Sequence, residues 1–241
     1  MNRFTCLGLC ALLAFASTSV AQSKPGIAGH WEGSINAPSQ ELKVIIDLDR
    51  DASGAWIGDI DIPDQMVRDL PLRNITVSDD SVSFELPVGA GEPKFKGKLS
   101  TDGTTLAGDF TQGGSTVPFS LKRTGDAKVF VLPKNQALPD KFAGRWEGTL
   151  DAMGGTLHLV FNLANKAGAA EGTIDSPDQG AVGIPMSEIS ADGDSIKITV
   201  RTVSGEYKGK LGEDGKVLSG EWSQGGSSMA LVLKKSAPPK N

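Results

Sequence analysis

The chain has 241 residues, of which 39% are hydrophobic and 22% are charged, and its formal net charge at pH 7 is −5. This composition is typical of a soluble globular protein, and 30 glycines with 13 prolines indicate many turns. Because acidic and basic residues are mixed and the balance is acidic, neither nucleic acid nor an anionic membrane surface is predicted as a partner.

The N-terminal residues predict a secretory signal peptide over residues 1–21 and a secreted or periplasmic location. Asn2-Arg3 precedes an uncharged, mostly apolar run from Phe4 to Ala16, and the small residues of Ser19-Val20-Ala21 form a cleavage site. The run is shorter than the ~20 apolar residues of a transmembrane helix, so no membrane span is predicted. Leu9 stands before Cys10 where a lipoprotein signal would have a small residue, which argues against lipidation.

Both cysteines of the chain, Cys6 and Cys10, lie in this segment. The mature chain is therefore expected to have no disulfide, no thiolate metal site and no cysteine nucleophile, although it enters an oxidising compartment. Each domain must be held together by a packed core.

The remaining chain is a tandem duplication. "GHWEG" from Gly29 returns as "GRWEG" from Gly144, and the matching "DIPDQ" and "DSPDQ", "LPL" and "IPM", and "FKGKL…FTQGGS" and "YKGKL…WSQGGS" follow in the same order. The period exceeds 100 residues, so each copy is a domain. The predicted divisions are residues 25–125, a linker at 126–138, residues 139–235 and a disordered tail at 236–241. An extended piece of the linker at residues 129–132 is expected to dock on one barrel.

Within each copy the hydrophobic period is two, which predicts antiparallel strands. The alternating apolar sets are Leu42, Val44, Ile46 and Leu48; Val82, Phe84 and Leu86; Leu157, Leu159, Phe161 and Leu163; and Ile196, Ile198 and Val200. About eight such runs per copy match the strand number of a small barrel filled by its own side chains. The predicted fold is all-β, with two tandem antiparallel up-and-down barrels.

The opening Gly-x-Trp of each copy resembles the first strand of calycin (lipocalin-like) barrels. That resemblance implies that Trp31 and Trp146 lie across the barrel floors, with Arg123 and Lys235 of the closing basic pairs stacked on them. A cation over an indole face is favourable. Gly33 and Gly148 of the same motif are interpreted as structural.

The whole unit also resembles the small β-domain found beside catalytic domains in bacterial secreted α/β-hydrolases and beta-lactamase-like serine hydrolases. The segments that carry this resemblance are "GRWEGTL", "GTIDSPDQGAVGIPM" and "YKGKLGEDGKVLSGEWSQGG" of the second copy. The first copy matches less closely, with Met66-Val67-Arg68 where the second has Gly180-Ala181-Val182. The resemblance implies a non-catalytic accessory module, with a secreted hydrolase as a candidate partner.

No catalytic motif is found in the sequence. Neither the G-x-S-x-G elbow nor S-x-x-K occurs, and the two histidines, His30 and His158, are interpreted as surface residues of strands. Two histidines in different copies cannot form a zinc site. "DRDASG" has EF-hand-like spacing from Asp49, but its twelfth position is Ile60, so a hairpin turn is favoured over calcium. No metal and no cofactor is predicted.

Two loop motifs remain as candidates. The Pro-Asp-Gln loops are predicted turns, and their four polar residues are the candidate ligand-binding residues: Asp64, Gln65, Asp178 and Gln179. The Gln-Gly-Gly motifs at Gln112 and Gln224 are interpreted as structural hairpins. The aromatic residues before them, Phe110 and Trp222, are expected in the core.

Three hypotheses for function follow. The first is a binding or accessory module whose ligand or protein partner is unknown. The second is a subunit or degenerate relative of a secreted hydrolase, whose activity would depend on Asp64 or Asp178 or on association with a separate hydrolase. The third is a carrier of a small hydrophobic molecule, which requires a cavity of several hundred Å3 inside a barrel, on the order of known ligand pockets.

Overall fold

The computed structural model describes residues 26–37, 40–87, 91–152 and 155–237. The predicted signal peptide at residues 1–21 lies outside this range. So does most of the predicted tail at 236–241, of which Ser236 ends the last strand. The described residues form two nine-stranded antiparallel sheets, and the helical elements among them are 3-10 turns of three residues. The prediction of an all-β fold is confirmed.

Barrel 1 contains β1 (Gly29–Ala37), β2 (Gln40–Arg50), β3 (Trp56–Ile62), β4 (Val67–Pro71), β5 (Arg73–Ser78), β6 (Ser81–Glu85), β7 (Lys94–Leu99), β8 (Thr105–Gln112) and β9 (Ser115–Gly125). Barrel 2 contains β10 (Gly144–Ala152), β11 (Gly155–Lys166), β12 (Ala169–Ser176), β13 (Ala181–Pro185), β14 (Glu188–Asp192), β15 (Ser195–Val200), β16 (Gly205–Leu211), β17 (Val217–Gln224) and β18 (Ser227–Ser236). The two sheets have the same strand order, β4-β3-β2-β1-β9-β8-β7-β6-β5 and its counterpart from β13 to β14.

A bent strand connects the two edges of each sheet. Only Leu72 separates β4 from β5, and its N–H donates to the carbonyl of Gly58 on β3 at 2.9 Å. β4 therefore pairs with β3 and β5 with β6 as two halves of one bent strand. Barrel 2 repeats the arrangement, because the N–H of Met186 donates to Gly172 and that of Ser187 to Thr199. Counted this way, each barrel has the eight strands and the up-and-down order that the sequence predicts.

Side chains fill both barrel interiors, because alternate residues of each strand point inward. In barrel 1 the Phe95 ring contacts Phe84, Phe110 and Phe119 at centroid distances of 4.8, 4.8 and 5.1 Å. In barrel 2 the Phe161 ring meets Tyr207 at 5.5 Å and Trp222 at 6.2 Å. These rings are buried together with the predicted inward rows, including Val44, Ile46 and Leu48, and Ile196, Ile198 and Val200. Phe110 and Trp222 therefore lie in the core.

A tryptophan and a cation close one end of each barrel. The indole N–H of fully buried Trp31 donates to the Ile27 carbonyl at 3.0 Å, and the Arg123 guanidinium lies 4.3 Å from its ring. Arg123 also donates to the carbonyls of Gly26, Ala28 and Gly103. In barrel 2, Trp146 donates to Phe142 at 2.9 Å and the Lys235 Nζ lies 5.1 Å from the indole. Both ends thus have the arrangement that the calycin resemblance implies.

The linker contacts both barrels, and the predicted extended piece at residues 129–132 is bonded to barrel 1 through the Phe130 N–H. Its N–H groups at Lys128 and Phe130 donate to the carboxylates of Asp47 and Asp59 on barrel 1, at 2.7 and 2.6 Å. Further along, Leu138 exchanges hydrogen bonds with the Asn165 side chain of barrel 2, each at 2.8 Å. Side-chain acceptors on the barrels, which strand periodicity does not reveal, hold the linker backbone.

Direct contacts also join the barrels. Arg201 of barrel 2 forms an ion pair with Asp69 of barrel 1, and its guanidinium lies 4.6 Å from the Phe130 ring of the linker. Arg73 of barrel 1 donates to the Gly183 carbonyl of barrel 2 at 3.4 Å. Both contacts lie beside the Pro-Asp-Gln turns, so the facing ends of the barrels form a cleft there.

Candidate functional site

The two Pro-Asp-Gln motifs form exposed 3-10 turns at Pro63–Gln65 and Pro177–Gln179. In barrel 2, the Asp178 carboxylate accepts the backbone N–H of His158 at 2.7 Å, and Gln179 accepts the Ser176 hydroxyl at 2.9 Å. Through Asp178 this turn satisfies a backbone N–H of the neighbouring strand β11. Over the described residues, the side chains of Asp64 and Gln65 make no hydrogen bond. Within the described residues, no hydrogen bond or ion pair joins the two turns.

The other predicted motif residues lie in the framework. Gln224 donates to the Val203 carbonyl at 2.8 Å and accepts the indole N–H of Trp222 at 3.1 Å, and Gln112 ends the equivalent strand β8. A Cβ on Gly33 would collide with the Ser120 carbonyl oxygen and would lie 2.8 Å from Leu121 Cα. Likewise, a Cβ on Gly148 would collide with Val232. These positions have packing roles that exclude larger side chains.

A cleft of about 780 Å3 lies between the barrels, and we call it the inter-barrel cleft. Barrel 1 provides Pro63, Met66, Val67 and Arg68 from the first Pro-Asp-Gln turn and the start of β4, and barrel 2 provides Val203 and Met229 beside the Gln224 hairpin. The walls are mainly apolar, and the lining also has the Arg68 guanidinium, the Asp61 carboxylate and several small polar groups. This is the composition of a ligand site with an apolar body and a few orienting polar groups.

Met66 is unusual in both conformation and exposure. Its φ is +55°, in the left-handed region, and its side chain is 75% exposed. The equivalent residue of barrel 2 is Gly180, at φ +65°. Three residues on, Asp69 at φ +50° stands where barrel 2 has Gly183 at φ +71°, and its carboxylate forms the ion pair with Arg201. At two positions that favour glycine, barrel 1 therefore has side chains directed at the cleft or at the other barrel.

The charges at this end of barrel 1 are unevenly neutralised. Asp69 is paired with Arg201, and Asp61 accepts the Asp69 N–H at 2.6 Å. Arg68 is exposed and has no ion-pair partner within the described ranges. The lining of the cleft therefore has one guanidinium, Arg68, and one carboxylate, Asp61, and neither forms an ion pair within the described residues.

Sequence analysis missed a polar row on the outer face of barrel 1. His30 Nδ1 lies 2.8 Å from Asp47, and Asp47 stands opposite Asp59 in the strand register. The two carboxylates are 6% and 4% exposed. Burial raises the pKa of Asp59 to about 7, the Phe130 N–H partly opposes the rise, and the nearby carboxylates add to it. His30 lies on the outer face of strand β1, and its ring is half-buried against Asp47 as part of this row. The sequence signal for this polar row was the pair of aspartates at outward-facing positions of β2 and β3.

The remaining candidates have structural contacts. In "DRDASG", the Asp51 carboxylate accepts the N–H groups of Ser53 and Ala55 at 2.9 and 3.0 Å, as in a hairpin turn. His158 is partly exposed, 3.7 Å from Glu147. Among the described residues there is no group of three or more His, Cys, Asp or Glu arranged to hold a metal. No described helix is long and apolar enough to cross a membrane.

Comparisons with known proteins assign no family. No family model matches the chain, and no curated protein matches it. A Bacteroides fragilis protein, provisionally described as an outer membrane protein, aligns over 87% of this chain and 98% of its own, at 13% identity and a TM-score of 0.28. A Nostoc punctiforme protein of unknown function from the DUF3598 family aligns over 88% and 96%, at 12% identity and a TM-score of 0.25. Both TM-scores are low, and neither similarity indicates a function.

Proposed function

We propose that this chain is a secreted or periplasmic protein that binds a ligand in the inter-barrel cleft and performs no catalysis itself. The observation that carries the proposal is Met66, a large apolar side chain held exposed and in a left-handed conformation at the cleft. The filled barrel interiors favour a site between the barrels over a carrier cavity within one.

Met66 is unfavourable for the fold in two ways. A left-handed conformation costs an L-residue about 1–2 kcal/mol, and the exposed side chain gains little from burial. Gly180 shows that the same turn forms with glycine. A residue that destabilises the free protein is explained when its side chain contacts a ligand. Met is suited to this role because its flexible thioether adapts to irregular apolar surfaces.

The lining indicates the chemical class of the ligand. Met66, Val67, Val203 and Met229 offer apolar contact, and Arg68 offers a positive charge, whereas the Asp61 carboxylate of the lining already accepts the Asp69 N–H. We therefore propose a small amphipathic anion with an apolar body against the methionines and its acid group at Arg68. The volume of about 780 Å3 lies within the ~300–1,000 Å3 of known small-molecule sites. An accessory role beside a secreted hydrolase is compatible with this proposal, because the module would supply binding and leave catalysis to its partner.

A fluorescence titration with 1-anilinonaphthalene-8-sulfonate, which combines fused aromatic rings with a sulfonate, tests the proposal. We expect saturable binding that Met66→Gly weakens about tenfold, equivalent to ~1.4 kcal/mol. Arg68→Gln should weaken it similarly. Met66→Gly should also raise the free energy of unfolding by about 1 kcal/mol, since glycine relieves the left-handed strain.

Val182→Ser is the matched control. Val182 is the barrel 2 counterpart of Arg68, is 54% exposed and lies outside this cleft. It should leave the titration unchanged. Equal loss of binding in Val182→Ser and Met66→Gly would indicate nonspecific dye adsorption and refute the assignment of the cleft.

A further inference from the structure

The linker supplies a template for a second binding site, separate from the inter-barrel cleft. Lys128 and Phe130 are two residues apart, and their N–H groups meet acceptors on adjacent strands, Asp47 on β2 and Asp59 on β3. An extended segment thus crosses the outer face of barrel 1 with alternate N–H groups bonded to side chains. We call the linker residues 126–132 the strap.

Barrel 2 has polar groups at the same places in its register. Asn162 and Thr173 stand opposite each other, as Asp47 and Asp59 do in barrel 1. The equivalence extends to the next strand, because Thr173 stands opposite Pro185 and Asp59 stands opposite Pro71. The Asn162 amide donates to Thr173 Oγ1 at 3.3 Å and to the Asp175 carboxylate at 3.1 Å. Its Oδ1 accepts no hydrogen bond from the described residues and is available as an acceptor.

Only Leu132 of the strap reaches this face of barrel 2, and in the part of the chain described no strap N–H donates to Asn162 or Thr173. A groove of about 580 Å3 lies there, with Asn162, Ala164, Thr173 and Pro185 in its lining. Linker residues Leu132 to Asn135 form one wall. The exposed Ala164 replaces the bulkier Asp49 of barrel 1, which leaves room for a main chain to approach.

We propose that this groove binds an extended segment of a partner polypeptide in the way that barrel 1 binds the strap. The segment would present N–H groups two residues apart to Asn162 Oδ1 and Thr173 Oγ1. A partner is favoured over this chain's own residues 237–241 because Ser236 pairs with Arg145 as Gly125 pairs with His30, which places Pro239, a residue without an N–H, at the position of the Lys128 donor. The recognition is of main chain, with side-chain selectivity left to the groove walls.

Fluorescence anisotropy with a labelled strap peptide, Asp126 to Leu132 ("DAKVFVL"), and the full chain tests this. We expect saturable binding with a dissociation constant below about 1 mM. Ala164→Trp, which fills the groove from an exposed position, and Asn162→Ala, which removes the acceptor, should each weaken binding at least about fivefold. Val232→Trp, at an exposed site of β18 outside the groove, is the matched control.

N-methylated peptides test the hydrogen-bonding pattern. Methylation of the Lys128 or Phe130 nitrogen should abolish binding, whereas methylation of the Val129 nitrogen should be tolerated. Met66→Gly should leave peptide binding unchanged, so this proposal and that of the inter-barrel cleft can fail separately. Absence of binding, or equal binding to Ala164→Trp, would overturn the proposal. Binding that appears only after residues 237–241 are deleted would identify that segment as the occupant of the groove and overturn the proposal of a partner polypeptide.

Discussion

Replacing Asp59 by asparagine should make the protein more stable at alkaline pH and flatten its pH dependence. Asp59 is 4% exposed and lies under the strap, and burial raises its pKa to about 7. Of the groups around it, the carboxylates of Asp47, Asp61 and Asp69 raise the pKa further, and the N–H of Phe130 opposes them. His30, on the far side of Asp47, completes the polar row.

The size of the effect follows from the two pKa values. A rise from 3.8 to about 7 corresponds to about 4 kcal/mol, an upper limit for the pH-dependent change in the free energy of unfolding. The folded-state pKa lies above the unfolded one, so this stability is fully present below pH 3.8 and is lost as pH rises through 7. The wild type should therefore be more stable at pH 5 than at pH 8, as far as this group is concerned.

Urea denaturation of wild type and Asp59→Asn at pH 5 and pH 8 measures the effect. The amide oxygen of asparagine can still accept the Phe130 N–H, which now lies 2.6 Å from the carboxylate. The variant should gain about 2 kcal/mol at pH 8 and little at pH 5, within the limit set by linkage. Asp109→Asn, at an exposed position of β8, should change neither value. A variant no more stable than wild type at pH 8 would refute the assignment of a buried, destabilising carboxylate.

Two further predictions concern the framework. Gly33→Ala should lower the free energy of unfolding by about 3 kcal/mol in chemical denaturation, because the new methyl group meets the backbone of Ser120 on the paired strand. The control Gly125→Ala has open space around the new methyl group and should lower it by less than about 0.5 kcal/mol. Similar losses in both variants would contradict the packing argument. Arg201→Ala removes two contacts that couple the barrels, the ion pair with Asp69 and the contact with the Phe130 ring. Calorimetry of this variant should therefore resolve two unfolding transitions instead of one. A single unchanged transition would show that the barrels are coupled by other contacts.

Much of the fold could be predicted because it rests on local, periodic signals. Alternation in β2 and β11 predicts which residues are buried, and the opening tryptophans with the closing Arg123 and Lys235 predict the stacked cations. The bend at Leu72 was less accessible, since one strand that changes partners has the same alternation as two separate strands. The predicted number of eight strands per barrel still holds, because the two halves of the bent strand count as one.

The position of the linker could not be predicted in the same way. Its bonds join backbone N–H groups to Asp47 and Asp59, and any residue except proline can donate such a bond. The aspartates occupy outward positions in alternating strands, where charged residues normally face water. The two aspartates are buried only because the linker packs over them. The linker is distant in sequence, so its contact does not alter the hydrophobic alternation of β2 or β3.

The inter-barrel cleft was visible in the sequence only as a mismatch between the copies. Where the second copy has Gly180 and Gly183, the first has Met66 and Asp69 at left-handed positions. Each of these side chains is unfavourable in its own barrel, and one reaches Arg201 across the interface. Two barrels with the same strand order offer an internal control, because a residue that is unfavourable in one barrel and absent from the other is explained by something outside that barrel. The same comparison links the strap on barrel 1 to the open groove on barrel 2, so both proposed binding sites lie where the two barrels differ and not where they share motifs.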